Sequence, residues 1–238
     1  MGGKLDTAES FDRIFGLYGH QFAVLIPLAA VIFIPIAVLS GLASRTGSVA
    51  LGLVYVVLSL VGQALYTGAV VEAVNDMRDG RRDYSLPELL RAAAPYIWAL
   101  IAAGVLVGLI VLLGLILLVI PGLVFLTWFA LAAPAIVVER RGVFAAMTRS
   151  RELVSGNGWR VFGVIVVTFL VLLVVGTVFD RIATAASDNF GGHTFASLVG
   201  SVLTAPLLSL AVSVLYFQLR DIQQGTSGLA GPAPPPRV

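Results

Sequence analysis

The chain has no cysteine and only two histidines, His20 and His193, in 238 residues. Without cysteine there are no disulfides, thiolate nucleophiles or cysteine metal sites, and no redox compartment can be read. The two histidines stand apart at the ends of apolar runs, so a metal-binding pair of the His-Glu-x-x-His kind does not exist. There is also no Gly-x-Ser-x-Gly elbow, no phosphate-cradling glycine loop and no acidic pair inside an apolar run. These gaps argue against an enzyme, and no cofactor is implied. Charge is scarce too: 12% of residues are Asp, Glu, Lys or Arg, the net charge is +2, and no basic stripe invites nucleic acid.

What the chain does have is apolar sequence. Hydrophobic residues make up 58% of it and mean hydropathy is +0.99, well outside the range of soluble domains. Apart from Arg45, Asp180, Arg181 and Asp188, the charges fall in four clusters: the N-terminus, Glu72–Arg91, Glu139–Arg160 and the C-terminal tail. The charge-free runs between them are long enough to cross a bilayer, which takes about 20 helical residues. The run 92–138 would be about 70 Å long as helix, enough for two crossings, with Pro121-Gly122 as the expected turn. The expected fold is an all-α integral membrane protein with six spans, near 21–43, 48–71, 96–119, 123–138, 160–180 and 194–217. A β-barrel would alternate polar and apolar residues, and runs such as Val105–Val119 do not.

Orientation follows from where the basic residues fall. With both termini in the cytosol, thirteen Lys and Arg face inward and only Arg45 and Arg181 face out. Fourteen arginines against one lysine suggest a GC-rich bacterial genome, hence a bacterial plasma membrane.

The sequence reads as one element used three times, a short amphipathic helix followed by a transmembrane hairpin. The first helix starts at Asp6 with Glu9 as capping-box partner, carries Phe11, Ile14, Phe15 and Tyr18 on one face, and is expected to end at Gly19. The second starts at Ser85 with Glu88, carries Leu86, Leu89, Leu90 and Ala93, and stops at Pro95. The third runs from about Gly142 with Val143, Ala146, Met147, Ser150 and Val154 on one face, and ends at Ser155-Gly156-Asn157-Gly158. Such helices are expected in the membrane interface, apolar side down. Residues 1–224 form the single membrane domain, and the Pro/Gly-rich tail 225–238 is expected to be disordered.

Few residues could carry specific chemistry. Tyr55, Ser59, Gln63 and Thr67 repeat at every fourth position of span two and make a polar seam. Lipid offers them no partners, so the seam should face the bundle, either as hydrogen-bonding glue or as the wall of a transport path. Ser197, Ser201 and Thr204 of span six form a similar stripe that could pair with it. Gly104-x-x-x-Gly108 permits close helix contact, expected to serve internal packing. Pro27, Pro35, Pro134 and Pro206 should kink their spans. Glu72 and Glu139 end spans two and four and read as interfacial ion pairs marking the helix ends, with gating or coupling carboxylates paired with Arg140 or Arg78 as the alternative. Arg140, Arg141, Arg149, Arg151 and Arg160 gather in one connector beside the membrane. They are the candidate contact surface for anionic lipid headgroups or a partner protein, each worth about 1 kcal/mol near an anionic leaflet.

The stretch from Pro134 through Glu139, Gly142, Ser150 and Arg151 to Gly158-Trp159-Arg160 resembles the glycerophosphoryl diester phosphodiesterase membrane-domain family and related uncharacterised bacterial six-span proteins. The likeness is specific over about thirty residues and otherwise concerns layout. In the namesake the catalytic work belongs to a separate soluble domain, so the resemblance implies a membrane part without phosphodiesterase activity. The expected function is therefore that of a non-catalytic membrane protein engaging lipid or a partner, with a small transporter as the alternative. Its oligomeric state is not readable from the residues.

Overall fold

The computed structural model describes residues 5–78, 85–186 and 190–225, and among them every regular element is helical. Six of the helical stretches are long and apolar enough to cross a membrane.

α1 (Thr7–Thr46) starts where the Asp6 carboxylate accepts from the N–H of Ala8 at 2.9 Å, satisfying a donor the first turn leaves open. Glu9 does not complete the expected capping box and pairs with Arg13 one turn on. The expected stop at Gly19 is also absent, and α1 runs unbroken to Thr46. Glycine keeps its N–H and costs only about 1 kcal/mol inside a helix, so it permits a break without forcing one. A left-handed Gly47 (φ +61°) ends the helix.

α2 (Val49–Arg78) returns against α1. A Cβ on Gly62 would lie 2.6 Å from Ile36 Cδ1, and one on Gly68 would lie 3.1 Å from Ala93 Cβ. These two glycines therefore set which face of α2 is inner. α3 (Leu86–Ala93) has the expected cap, with the Glu88 carboxylate accepting from the Ser85 N–H and hydroxyl at 2.7 Å each. A 3-10 turn (Ala94–Tyr96) containing Pro95 separates α3 from α4 (Ile97–Leu117).

The reversal after α4 falls at Leu118, in extended conformation, rather than at Pro121-Gly122. Pro121 lies in the first turn of α5 (Val119–Phe129), where its missing N–H is not needed. Gly122 serves packing: a Cβ there would lie 2.5 Å from Leu115 Cγ and 2.7 Å from the Leu115 backbone nitrogen. The fourth span is then interrupted, and α6 (Ala132–Glu139) starts afresh with Pro134 in its first turn, where no kink is needed. Groups freed by the break are satisfied by Ser150. Its buried hydroxyl donates to Trp128 O at 2.7 Å and accepts from Leu131 N at 3.0 Å.

Ser150 belongs to α7 (Val143–Val154), whose expected face is confirmed, with Ala146, Met147, Ser150 and Val154 all buried. α7 packs against α4, α5, α6 and α9, so its buried stripe is not left for lipid. Gly156 (φ +84°) makes the expected stop before α8 (Gly158–Ala186). α9 (Phe190–Gln223) packs against α8, α1, α2, α6 and α7 and forms the axis of the bundle. In its membrane window 72% of residues are buried, against 17% in that of α2. The short helices α3 and α7 thus stand apart from their spans, whereas the first has merged into α1.

Candidate functional site at the arginine end of the bundle

Chain direction brings the start of α1, the ends of α2, α6 and α9, and all of α7 to one end of the bundle. Glu139, the last residue of α6, is the hub there. It accepts from Arg149 Nε at 2.8 Å, from the Tyr216 hydroxyl at 2.8 Å and from Arg141 Nε. Arg149 also reaches Gln223 Oε1 at 2.9 Å, and Gln223 Nε2 donates to Glu152 O at 3.0 Å. Burial works against the charge of Arg149, but its hydrogen bond to Glu139 and the charges around it win, raising its pKa above the ordinary arginine value. The cluster therefore holds its charges and ties α6, α7 and α9 together.

A second tie joins α2 to α9. Arg78 Nη2 sits 2.8 and 2.9 Å from the two Asp221 carboxylate oxygens, and its guanidinium lies 4.5 Å from the Phe217 ring centre. Arg220 lies 5.1 Å from the same ring. The buried Ser10 hydroxyl lies 2.7 Å from Gln218 Oε1, which ties in α1, and Leu5 N donates to Asn157 Oδ1 at 3.2 Å.

The five connector arginines consequently divide into two groups. Arg141 and Arg149 are committed to Glu139. Arg140 is exposed, in a left-handed conformation (φ 51°), and acts electrostatically on Glu72. Arg151 is exposed and lies 4.4 Å from the Trp128 ring centre. Arg160 lines a cavity of about 770 Å³ between α5 and the start of α8. The ion-pair reading of Glu139 holds with Arg141 and Arg149 as partners, while Arg78 takes Asp221 instead. Three large aromatics stand outward, Trp98 (78% exposed), Phe144 (76%) and Trp159 (86%).

The polar seam of α2 is placed differently from expectation. Gln63 is exposed on the outer surface, and Tyr55, Ser59 and Thr67 are half-buried. Gln63 Nε2 lies 3.4 Å from Thr67 Oγ1, and the Ser59 hydroxyl bonds Val56 O at 2.8 Å within its own helix. A membrane-buried interhelical hydrogen bond is worth about 0.6 kcal/mol on average, too little to turn a helix whose glycines favour another face. Ser197 and Ser201 lie outside the described side chains, as do His20 and His193. Gly104 and Gly108 point into open space, with nothing within 4 Å of a Cβ, so they do not serve internal packing. Residues 226–238 of the tail lie outside the described residues. Among the described residues no group of three or more His, Asp or Glu gathers as a metal site would need.

Sequence reasoning missed Tyr216, Gln218, Asp221, Gln223 and Ser10. One signal was there: Ser209, Ser213 and Tyr216, at spacings of four and three, form a stripe on α9 that is buried throughout.

These features define a polytopic α-helical membrane protein, six spans tied by polar contacts at one end. The sequence model of the uncharacterised protein family UPF0259 matches residues 48–210, and the chain belongs to that family. A UPF0259 membrane protein of Pectobacterium carotovorum is 28% identical over 154 residues, covering 64% of this chain and 61% of the relative. Another, of Photorhabdus laumondii, is 26% identical over 166 residues, covering 69% of this chain and 64% of the relative. The chain thus spans about three-fifths of the length of the curated relatives it matches. No solved structure matches it significantly. The resemblance to the glycerophosphoryl diester phosphodiesterase membrane domain has no counterpart among these matches, which support the uncharacterised membrane family alone.

Proposed function

We propose that this is a non-catalytic protein of the bacterial plasma membrane, both termini cytosolic, whose arginine end engages the headgroups of anionic phospholipids. The observation that carries the reading is the division of the connector arginines. Glu139 takes up Arg141 and Arg149, and Arg140 and Arg151 remain exposed at the end of the bundle that also carries the exposed Trp159 and Phe144. Arginine with exposed aromatics is the pairing found where a protein meets the headgroup layer. The transporter alternative rests on the α2 seam, whose Gln63 is exposed rather than buried within the bundle.

Two measurements test this. Anionic phosphatidylglycerol added to detergent-solubilised protein should raise its unfolding temperature more than zwitterionic phosphatidylcholine does. The double variant Arg140→Gln/Arg151→Gln should lose most of that difference. Equal stabilisation by both lipids in the unaltered protein would overturn the proposal. The chain's lack of cysteine allows single cysteines to be introduced for topology. One placed at Ala145 should be labelled by impermeant maleimide only from the cytosolic face, and periplasmic labelling would overturn the orientation.

A further inference from the structure

The cavity between α5 and the start of α8 has the polarity of a single phospholipid. On the α5 side it is lined by Leu123, Val124 and Thr127, and on the α8 side by Trp159, Arg160 and Phe162. Its volume, about 770 Å³, lies within the ~300–1,000 Å³ range of small-molecule sites. α5 runs toward the arginine end, and α8 runs away from it. The polar lining, Asn157 and Arg160, therefore collects at the end where Trp128 carries the Arg151 guanidinium at 4.4 Å. Ile120, Leu123 and Phe162 continue away from that end into apolar sequence. Arg160 takes part in no ion pair among the described residues. Asn157 Oδ1 accepts from the backbone of Leu5, and the charge at the cavity mouth comes from Arg160.

We propose that this cavity is a binding site for one anionic phospholipid. Its phosphate would sit against Arg160, and an acyl chain would lie between α5 and α8 against Val124 and Phe162. Charge complementarity selects the occupant: an apolar trough with the Arg160 guanidinium at one end suits a molecule with an anionic head and a hydrocarbon tail. Trp128 and Trp159 form part of the wall, so the site contains two of the chain's three tryptophans. The proposal rests on the lipid-engaging reading above and concerns one molecule held in the trough rather than the surrounding leaflet.

The full chain carrying Trp98→Phe gives tryptophan fluorescence from Trp128 and Trp159 alone. In detergent, phosphatidylglycerol brominated along its acyl chains should quench this signal saturably, near one lipid per protein. Val124→Phe fills the trough at a position already 37% exposed and should weaken that quenching several-fold without changing the melting temperature. Arg160→Gln should narrow the preference over brominated phosphatidylcholine by about fivefold. Non-saturating quenching, or saturable quenching unmoved by both variants, would overturn the site. The headgroup reading is judged separately by the stabilisation difference in the Arg140→Gln/Arg151→Gln protein, which leaves Arg160 and the rest of the trough lining in place, so the two failures are told apart.

Discussion

The two ends of the bundle are built by different means. At the arginine end, α1, α2, α6, α7 and α9 are joined by ion pairs and side-chain hydrogen bonds centred on Glu139, Asp221 and Gln218. At the other end, α4 and α5 meet through Gly114 and Gly122, where a Cβ on Gly114 would lie 2.8 Å from Gly122 Cα. The contrast follows from the solvent. Near the headgroups water softens the cost of burying charge, so polar ties can be made there and can specify which helices meet. In hydrocarbon there is no hydrophobic gain from helix contact, and close packing of small residues does the joining.

Removing the hub should therefore produce the largest effect. Glu139→Ala leaves Arg149, Arg141 and Tyr216 without their acceptor and should cost about 2–3 kcal/mol. Circular-dichroism melts in detergent would register this, and a loss under about 0.5 kcal/mol, the scale of an ordinary surface change, would mean the cluster is ornamental. A smaller effect is expected at the opposite end. Gly122→Ala should cost about 1–3 kcal/mol by overpacking, and Gly108→Ala on the open face should stay within about 0.5 kcal/mol. Similar costs for the two glycines would break the distinction between packed and lipid-facing small residues. Smallest of all is Gln63→Leu, expected within about 0.5 kcal/mol in either direction because Gln63 has little to lose. A loss above about 1.5 kcal/mol would show that the seam meets a partner, another chain included.

Much of the fold was legible in the residues, for identifiable reasons. Hydrocarbon admits few charges, so the charge map alone separates spans from connectors, and among the described residues six helices are long and apolar enough to cross a membrane. Ser85 with Glu88, Pro95 and Gly156 act locally, and each cap, turn or stop appears where the local rule puts it. Gly19 failed as a stop because glycine permits a bend without removing a hydrogen bond, and the apolar sequence on both sides carried the helix through. The site was legible in part. The connector arginines stood out, but which of them Glu139 would occupy depends on Tyr216 and Gln223, more than seventy residues away. The α2 seam misled because its regular spacing says that polar groups share a face, not which way that face points.

By itself, the sequence determined the class of protein, the number of crossings and the ends at which charge gathers. These follow from the cost of placing charge and unpaired backbone in lipid, a cost each segment meets alone. Only the tertiary structure decided that α9 is the axis, that Arg141 and Arg149 are spent within the protein, and that α5 and α8 leave a trough beside Arg160. Those outcomes depend on which helices can approach closely, set by contacts such as Gly62 with Ile36 and Gly68 with Ala93 that link residues far apart in the chain.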